Sequence, residues 1–189
     1  KKNTSPPTVS MISLGCPKNR VDSAVMAGKL LQKGYVLDPD SEGADVVIVN
    51  TCSFIDKSER ESRHTIDKIL KLKKRHKGQR VVVTGCLPQK FKNEFAAQYP
   101  DIDLIMGTEN FQRIDELLEL GETRKKSYID DPSFIYSDET PRLNTMPGHT
   151  AYVKISEGCS RRCSFCIIPQ LRGNMRSRSI ESIVAEAKN

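Results

Sequence analysis

Two runs of β-branched residues, Val46-Val47-Ile48-Val49 and Val81-Val82-Val83, set the terms for what this chain can fold into. Apolar runs without polar alternation belong to strands covered on both faces, as in parallel sheets. Between them, residues 55–77 read as a long helix, with Ile66, Ile69 and Leu70 inward, the basic residues outward and Gly78 as the stop. The alternation extends in both directions. Residues 9–14 read as a strand, 19–33 as a helix carrying Val21, Ala24, Val25 and Leu31, and 35–37 as a second short strand. After the second run, residues 88–98 read as a helix with Phe91 and Phe95 four apart, and 103–106 as a short strand. Asn110 is placed to cap a helix through residue 120, with Phe111, Ile114, Leu117 and Leu118 on one face. Strand and helix in alternation predict an α/β fold over residues 9–120, an open, mostly parallel sheet with helices on both faces.

From residue 121 to 148 the pattern dissolves into charged, Pro-containing sequence, which reads as a linker with an edge hairpin at 127–129 and 134–136. Residues 151–156 read as a new strand. Ser179 is placed to cap a final helix with Ile180, Ile183, Val184 and Ala187 on one face. One strand and one helix cannot bury a core, so residues 149–189 are expected to be the start of a second domain that is cut off.

The chain has six cysteines, and they fall into two sets. Cys159, Cys163 and Cys166 have a C-x3-C-x2-C spacing. Thiolates are soft ligands suited to iron–sulfur clusters, zinc and Cu(I). No His stands near enough in sequence to be an obvious fourth ligand, and a cubane cluster held by three thiolates keeps one iron open to a small molecule. Cys16, Cys52 and Cys86 look unrelated until the strands are drawn. Each then sits one or two residues past the C-terminal end of a predicted parallel strand, where ligands of open α/β sheets bind. Gly15, Thr51 and Gly85 precede them, small or short residues that would let the backbone approach a bulky cofactor. A single such cysteine reads best as a small buried hydrophobe. Three at equivalent positions read as a second three-cysteine site. Zinc is the alternative ligand, although structural zinc usually takes four ligands, often in C-x2-C pairs. His64 and His76 fall on the basic helix and His149 in the linker, where solvation is the simpler reading. Phe165 could stack on a nucleobase or bury against its domain. The basic run from Arg172 to Arg178 could contact an anionic substrate or cofactor, or be a solvated loop.

Charge and compartment follow the same caution. Residues 57–80 hold ten Lys/Arg against three Asp/Glu, whereas 101–140 hold eleven Asp/Glu against four Lys/Arg. Such a basic surface can meet RNA or a ribonucleoprotein, or be simply the wet face of a helix. No apolar run approaches bilayer length, and the polar start of the chain lacks a signal-peptide core, so a cytoplasmic protein with no membrane association is expected. Cysteines in that setting argue for metal or catalysis over disulfides.

The run Cys159-x3-Cys163-x-Phe165-Cys166 resembles the signature of radical S-adenosylmethionine enzymes. The longer stretch from Tyr152 through Pro169, with Arg172-Gly173 and Arg176-Ser177-Arg178, is similar to the methylthiotransferases of that superfamily, and the N-terminal half resembles their N-terminal domain. Within the family, Ser13-Leu14-Gly15-Cys16-Pro17-Lys18-Asn19 and Ile167-Ile168-Pro169 are most like the branch that modifies an aspartate of small-subunit ribosomal protein S-twelve. Relatives acting on tRNA adenosine typically carry Gln-Met-Asn or Lys-Val-Asn after the first cysteine. Arg20 and Ala24 depart from the family pattern; neither is a cluster ligand.

The resemblance implies two [4Fe-4S] clusters. Cys159, Cys163 and Cys166 would hold the one that binds S-adenosylmethionine, with Phe165 beside it, and Cys16, Cys52 and Cys86 would hold the auxiliary one, which carries the sulfur. One electron, from a donor such as flavodoxin or ferredoxin, would cleave S-adenosylmethionine to a radical that takes hydrogen from the aspartate β-carbon. A methylthio group would then be joined there. The resemblance also implies that most of the radical-enzyme barrel is missing, so these 189 residues alone are expected to be inactive. Outside the family, the competing reading is a zinc or redox-sensing binding module.

Overall fold

The computed structural model describes residues 5–120 and 126–189. The polar residues 1–4 and the first five residues of the expected linker lie outside the described residues. Six strands form one sheet in the order β2-β1-β3-β4-β5-β6, every pair parallel. They are β1 (Thr8–Ser13), β2 (Val36–Leu37), β3 (Val46–Thr51), β4 (Arg80–Gly85), β5 (Leu104–Met106) and β6 (Ser127–Tyr128). The two β-branched runs are the neighbouring central strands β3 and β4, paired from Val46 with Arg80 to Thr51 with Gly85.

Side chains alternate across those strands, and each face meets its own helices. Val46, Ile48 and Val82 join a core with Val21, Val25, Met26 and Leu30 of α1 (Pro17–Gln32) and Ile114, Leu117 and Leu118 of α4 (Ile114–Glu119). Val47, Val49, Val81 and Val83 face the other way, onto Ile66 and Ile69 of α2 (Asp56–Lys73) and Leu87 and Phe95 of α3 (Cys86–Gln98). The α/β fold with helices on both faces is therefore the one expected from the alternation.

Several local expectations need correction. α2 runs from Asp56 to Lys73, ending short of residue 77. α3 begins at Cys86, not Pro88, and is broken at Lys92, whose φ is +46°. Asn110 opens a 3-10 turn (Asn110–Arg113) ahead of α4; its side chain holds Asp130 instead of capping, donating from Nδ2 to Asp130 Oδ2 (2.6 Å) and accepting the Asp130 N–H at Oδ1 (3.1 Å).

The edge hairpin does not form. β6 pairs parallel with β5, and residues 134–136 are not strand, because Phe134 and Tyr136 turn into the α1 core instead. Residues 127–148 accordingly lie along the sheet domain, with the Leu143 N–H donating to the Ala24 carbonyl at 2.9 Å. The strand expected at 151–156 shrinks to β7 (Ser156–Glu157), antiparallel to β8 (Arg176–Ser177). Residues 151–155 have no ladder partner among the described residues, and Val153 and Ile155 are exposed.

α5 (Ile168–Arg172) and α6 (Ile180–Lys188) complete the chain. Ser179 does cap α6, its side chain accepting from the Ser182 N–H. The apolar face of α6 is not buried, and Ile180 and Val184 stand exposed. No barrel is closed among the described residues. Among them, no helix is long and apolar enough to cross a membrane.

Candidate functional site

β1, β3 and β4 are neighbours in the sheet, so the loops leaving their C-terminal ends share one edge. Cys52 and Cys86 directly follow the last residues of β3 and β4, and Cys16 stands three residues past β1, one further than expected. β1 is flanked by β2 on one side and by β3 on the other, so the strand order reverses between β1 and β3. Ligands of open α/β sheets bind at such switch points. Cys52 and Cys86 are buried and Cys16 is exposed, so the triad runs from the protein interior to the surface. Burial pushes the Cys86 thiol up; Arg172 opposes this, while Cys52 and then Cys16 add to it.

Asn19 ties these loops together. It is fully buried and donates from Nδ2 to the Leu14 carbonyl (2.9 Å) and the Thr51 carbonyl (2.8 Å), one ahead of each of two cysteine loops. Its Oδ1 lies 3.9 Å from Cys16 Sγ and 4.0 Å from Cys86 Sγ, so two of the three sulfurs surround one amide oxygen. Asn50 supports it from below, donating from Nδ2 to the Asn19 carbonyl at 2.9 Å and to Ser23 Oγ at 3.0 Å. Asn19→Ala strips partners from two backbone carbonyls, and a buried polar group left unpaired costs about 1–3 kcal/mol. The variant is expected to lose about 2–4 kcal/mol in urea unfolding; an unchanged midpoint would mean that other contacts hold the loops.

The small residues ahead of the cysteines have a reason within the chain itself, beside the expected one. They let neighbouring loops approach one another. A Cβ on Gly15 would fall 2.5 Å from Cys52 Cβ, and one on Gly85 would fall 2.6 Å from the Thr51 carbonyl oxygen. Thr51 is a connector. Its Oγ1 donates to the Thr84 carbonyl at 2.6 Å and accepts the Leu87 N–H at 3.2 Å.

A buried charge cluster sits against this edge. Arg172 Nη1 donates to Asp22 Oδ2 at 2.6 Å and lies 3.5 Å from Glu157 Oε2. Lys154 Nζ contacts Asp22 Oδ1 at 2.5 Å and Glu157 Oε2 at 2.6 Å. All four side chains are at most 6% exposed. Burial alone would raise the Glu157 carboxyl, but Arg172 and then Lys154 outweigh it and hold it down to about 2. Arg172 Nη2 continues to Asn19 Oδ1 (2.5 Å) and Cys86 Sγ (3.8 Å). The basic run is thus not a solvated loop at either end. Arg178 is also buried, paired with Glu186 and lying over the Tyr136 ring at 4.5 Å.

Cys159, Cys163 and Cys166 occupy the loop between β7 and α5, Cys163 exposed and the other two half-buried. The Cys159 N–H donates to the Gly173 carbonyl at 3.0 Å and the Cys166 N–H to the Cys163 carbonyl at 3.1 Å. Phe165 is 91% exposed and is not buried against its domain among the described residues. His64, His76 and His149 are all exposed. Among the described residues, no three His, Cys, Asp or Glu side chains converge as a single metal ion requires.

Sequence reasoning missed Asn19, Asp22, Lys154 and Glu157 as parts of the site. The available signal was weak: polar residues at positions where α1 and the strand before the cysteine loop should be turned inward.

A model of Uncharacterized protein family UPF0004 matches residues 8–107, the stretch that carries β1 to β5 and Cys16, Cys52 and Cys86. Among curated proteins, the chain is similar to "Ribosomal protein uS12 methylthiotransferase RimO" of Geobacter sulfurreducens, 46% identical over 183 residues that make up 96% of this chain and 41% of that protein. The proteins of the same name from Bdellovibrio bacteriovorus and Myxococcus xanthus are 48% and 47% identical, over 95% and 99% of this chain and 40% and 39% of theirs. The chain therefore spans about two fifths of the length of these relatives. With the family match running over more than half of its residues, through the sheet and all three strand-end cysteines, the chain belongs to the UPF0004 family.

Proposed function

We propose that the chain serves a methylthiotransferase that places a methylthio group on the β-carbon of an aspartate of small-subunit ribosomal protein S-twelve. In this reading residues 9–120 bind an auxiliary [4Fe-4S] cluster through Cys16, Cys52 and Cys86. Residues 149–189 bring Cys159, Cys163 and Cys166 to a second [4Fe-4S] cluster that binds S-adenosylmethionine, and 121–148 join the two parts. The observation that carries it is that Cys16, Cys52 and Cys86 stand on neighbouring loops along one edge of the sheet, the sulfurs of Cys16 and Cys86 on either side of Asn19. The names of the similar proteins supply the reaction and the substrate.

The residues fit such a cluster. The donors are three thiols, which suit iron and sulfide. A single tetrahedral ion needs its ligands close around one point, and no three His, Cys, Asp or Glu side chains of the described residues converge in that way. A cluster offers a separate iron to each thiolate and accepts wider spacing. Ser53, next to Cys52, has a buried hydroxyl with no partner among the described residues, a donor free for an incoming acceptor. The Arg172 cation beside Cys86 compensates the negative charge of thiolates.

When bound, the clusters and S-adenosylmethionine supply the radical and the sulfur, with an electron from a flavodoxin or ferredoxin type of donor. The protein's share is positional. Asn19 and Thr51 fix the cysteine loops, and the β7–β8 pair and Gly173 hold the second loop. The exposed Phe165 is free to stack on a nucleobase. Lys57, Arg60, Lys68 and Lys71 are exposed on α2 and Lys74 just past its end, a basic face suited to RNA at a cytoplasmic ribosome.

Mass spectrometry of ribosomal protein S-twelve and of tRNA from a strain lacking the gene tests the substrate. The methylthio mass is expected to vanish from the protein and persist in tRNA; the reverse assigns the chain to tRNA adenosine. Anaerobic reconstitution tests the clusters. Iron and labile sulfide are expected, falling by about half, on the proposed two-cluster stoichiometry, when Cys16, Cys52 and Cys86 are all replaced by Ala. Zinc without labile sulfide would instead indicate a zinc or redox-sensing module.

A further inference from the structure

We propose that Arg172 is a positioning residue for the strand-end cysteine triad, supplied by the segment that carries the other triad, and that its charge sets the redox poise at Cys86. This rests on the reading that Cys16, Cys52 and Cys86 hold an iron–sulfur cluster.

The guanidinium uses its fork. Nη1 is taken by Asp22, and Nη2 points to Asn19 Oδ1 at 2.5 Å and Cys86 Sγ at 3.8 Å. A lysine has one ammonium and cannot span both directions in a plane. Asp22, Glu157, Lys154 and Arg172 contribute two charges of each sign and balance one another. Of the four, Arg172 is the one whose donor reaches a triad sulfur. Hydrogen bonds to ligating sulfurs and nearby charge set cluster potentials. A buried cation at that sulfur favours the electron-rich state, because little water screens it.

The position of Arg172 is fixed from three sides. It ends α5, which begins two residues after Cys166. The Leu171 carbonyl accepts the Thr108 Oγ1 hydrogen at 2.6 Å, pinning α5 beyond the end of β5. The next residue, Gly173, accepts the Cys159 N–H at 3.0 Å. The five-residue helix and the glycine that follows it thus hold the Cys159 N–H of one triad and reach the Cys86 sulfur of the other.

The test isolates the strand-end site in a Cys159→Ala/Cys163→Ala/Cys166→Ala background, reconstituted anaerobically with iron and sulfide. Midpoint potentials are read by electron paramagnetic resonance during reductive titration. Arg172→Gln is expected to move the potential to more negative values by at least a tenfold change in the oxidised-to-reduced equilibrium, about 59 mV for one electron. Arg172→Lys, which keeps the charge, is expected to recover most of the shift. Should Arg172→Gln fail to fold, Asp22→Asn/Arg172→Gln leaves the Lys154–Glu157 pair balanced and is compared with Asp22→Asn alone. A potential that does not move in whichever variant keeps its fold and its iron overturns the inference and leaves the cluster reading standing. A parent chain that binds no iron and sulfide at this site overturns the cluster reading itself, and the inference with it.

Discussion

Lys154→Met is expected to lower the unfolding free energy by about 3–5 kcal/mol, the cost of leaving a buried charge uncompensated. In a chain of this size that is roughly a 10 °C fall in melting temperature. The Lys154 side chain is 5% exposed and its Nζ lies 2.5 Å from Asp22 Oδ1 and 2.6 Å from Glu157 Oε2. Without it, two buried carboxylates are left with the single buried guanidinium of Arg172, and only the half-exposed Lys18, 3.4 Å from Glu157 Oε1, stands in beside it. Methionine fills a similar volume, so the loss reports charge more than packing. Adding Glu157→Gln restores the balance and is expected to recover more than half of the stability, which urea unfolding of the single and double variants will show.

The pH dependence gives a second reading of the same pair. In the parent protein, burial pushes Glu157 up but Arg172 and Lys154 hold it at about 2, below its unfolded value of 4.5. Its contribution is therefore complete above pH 4.5 and is lost as pH falls towards 2. Removing Lys154 takes away part of what holds that carboxyl down. The parent should thus lose more stability than Lys154→Met between neutral and acid pH, and the two unfolding curves should converge. A gap that widens on acidification would show that Glu157 is not what Lys154 stabilises.

The sheet was legible in the sequence because β3 and β4 are continuous β-branched runs, and only burial on both faces makes such runs tolerable. That reading also put Cys52 and Cys86 at strand ends, since a strand-end position needs only the boundary of the run. Residues 127–157 were not legible for the opposite reason. Their backbone path follows single contacts, such as Asp130 on Asn110 and the Tyr136 hydroxyl accepting the Lys154 N–H, and these leave no periodicity. The charge cluster was hidden in a subtler way. Asp22 and Asn19 sit on α1 among Val21, Val25 and Met26, where polar residues would ordinarily be assigned to the solvent side. Their partners Lys154, Glu157 and Arg172 lie more than a hundred residues away, and no local pattern joins them. The α6 face shows the converse limit: helical spacing identifies an apolar stripe without saying whether anything covers it.

Gly85→Ala is expected to cost about 4 kcal/mol or more, a large part of the 5–15 kcal/mol typical of a domain. Two penalties add. The backbone of Gly85 lies at φ +99° and ψ −150°, a region that is essentially restricted to glycine and costs other residues about 1–3 kcal/mol. The added Cβ would also stand 2.5 Å from Asn50 Oδ1 and 2.6 Å from the Thr51 carbonyl oxygen. Neither neighbour can retreat. β3 is paired on both sides, to β1 and β4, and the Asn50 side chain is held by Asn19 and Ser23. Any movement of Asn50 is passed to Asn19, and from there to the loops of Cys16 and Cys52. Gly34→Ala separates the two penalties. Gly34 also has a positive φ, +84°, but a Cβ there meets nothing within 4 Å. That variant should lose only the backbone penalty, about 1–2 kcal/mol. Urea unfolding of both variants measures the difference. Equal losses would mean that the close approach of the Cys86 loop to β3 carries no energy, and that backbone conformation alone selects glycine ahead of the cysteine.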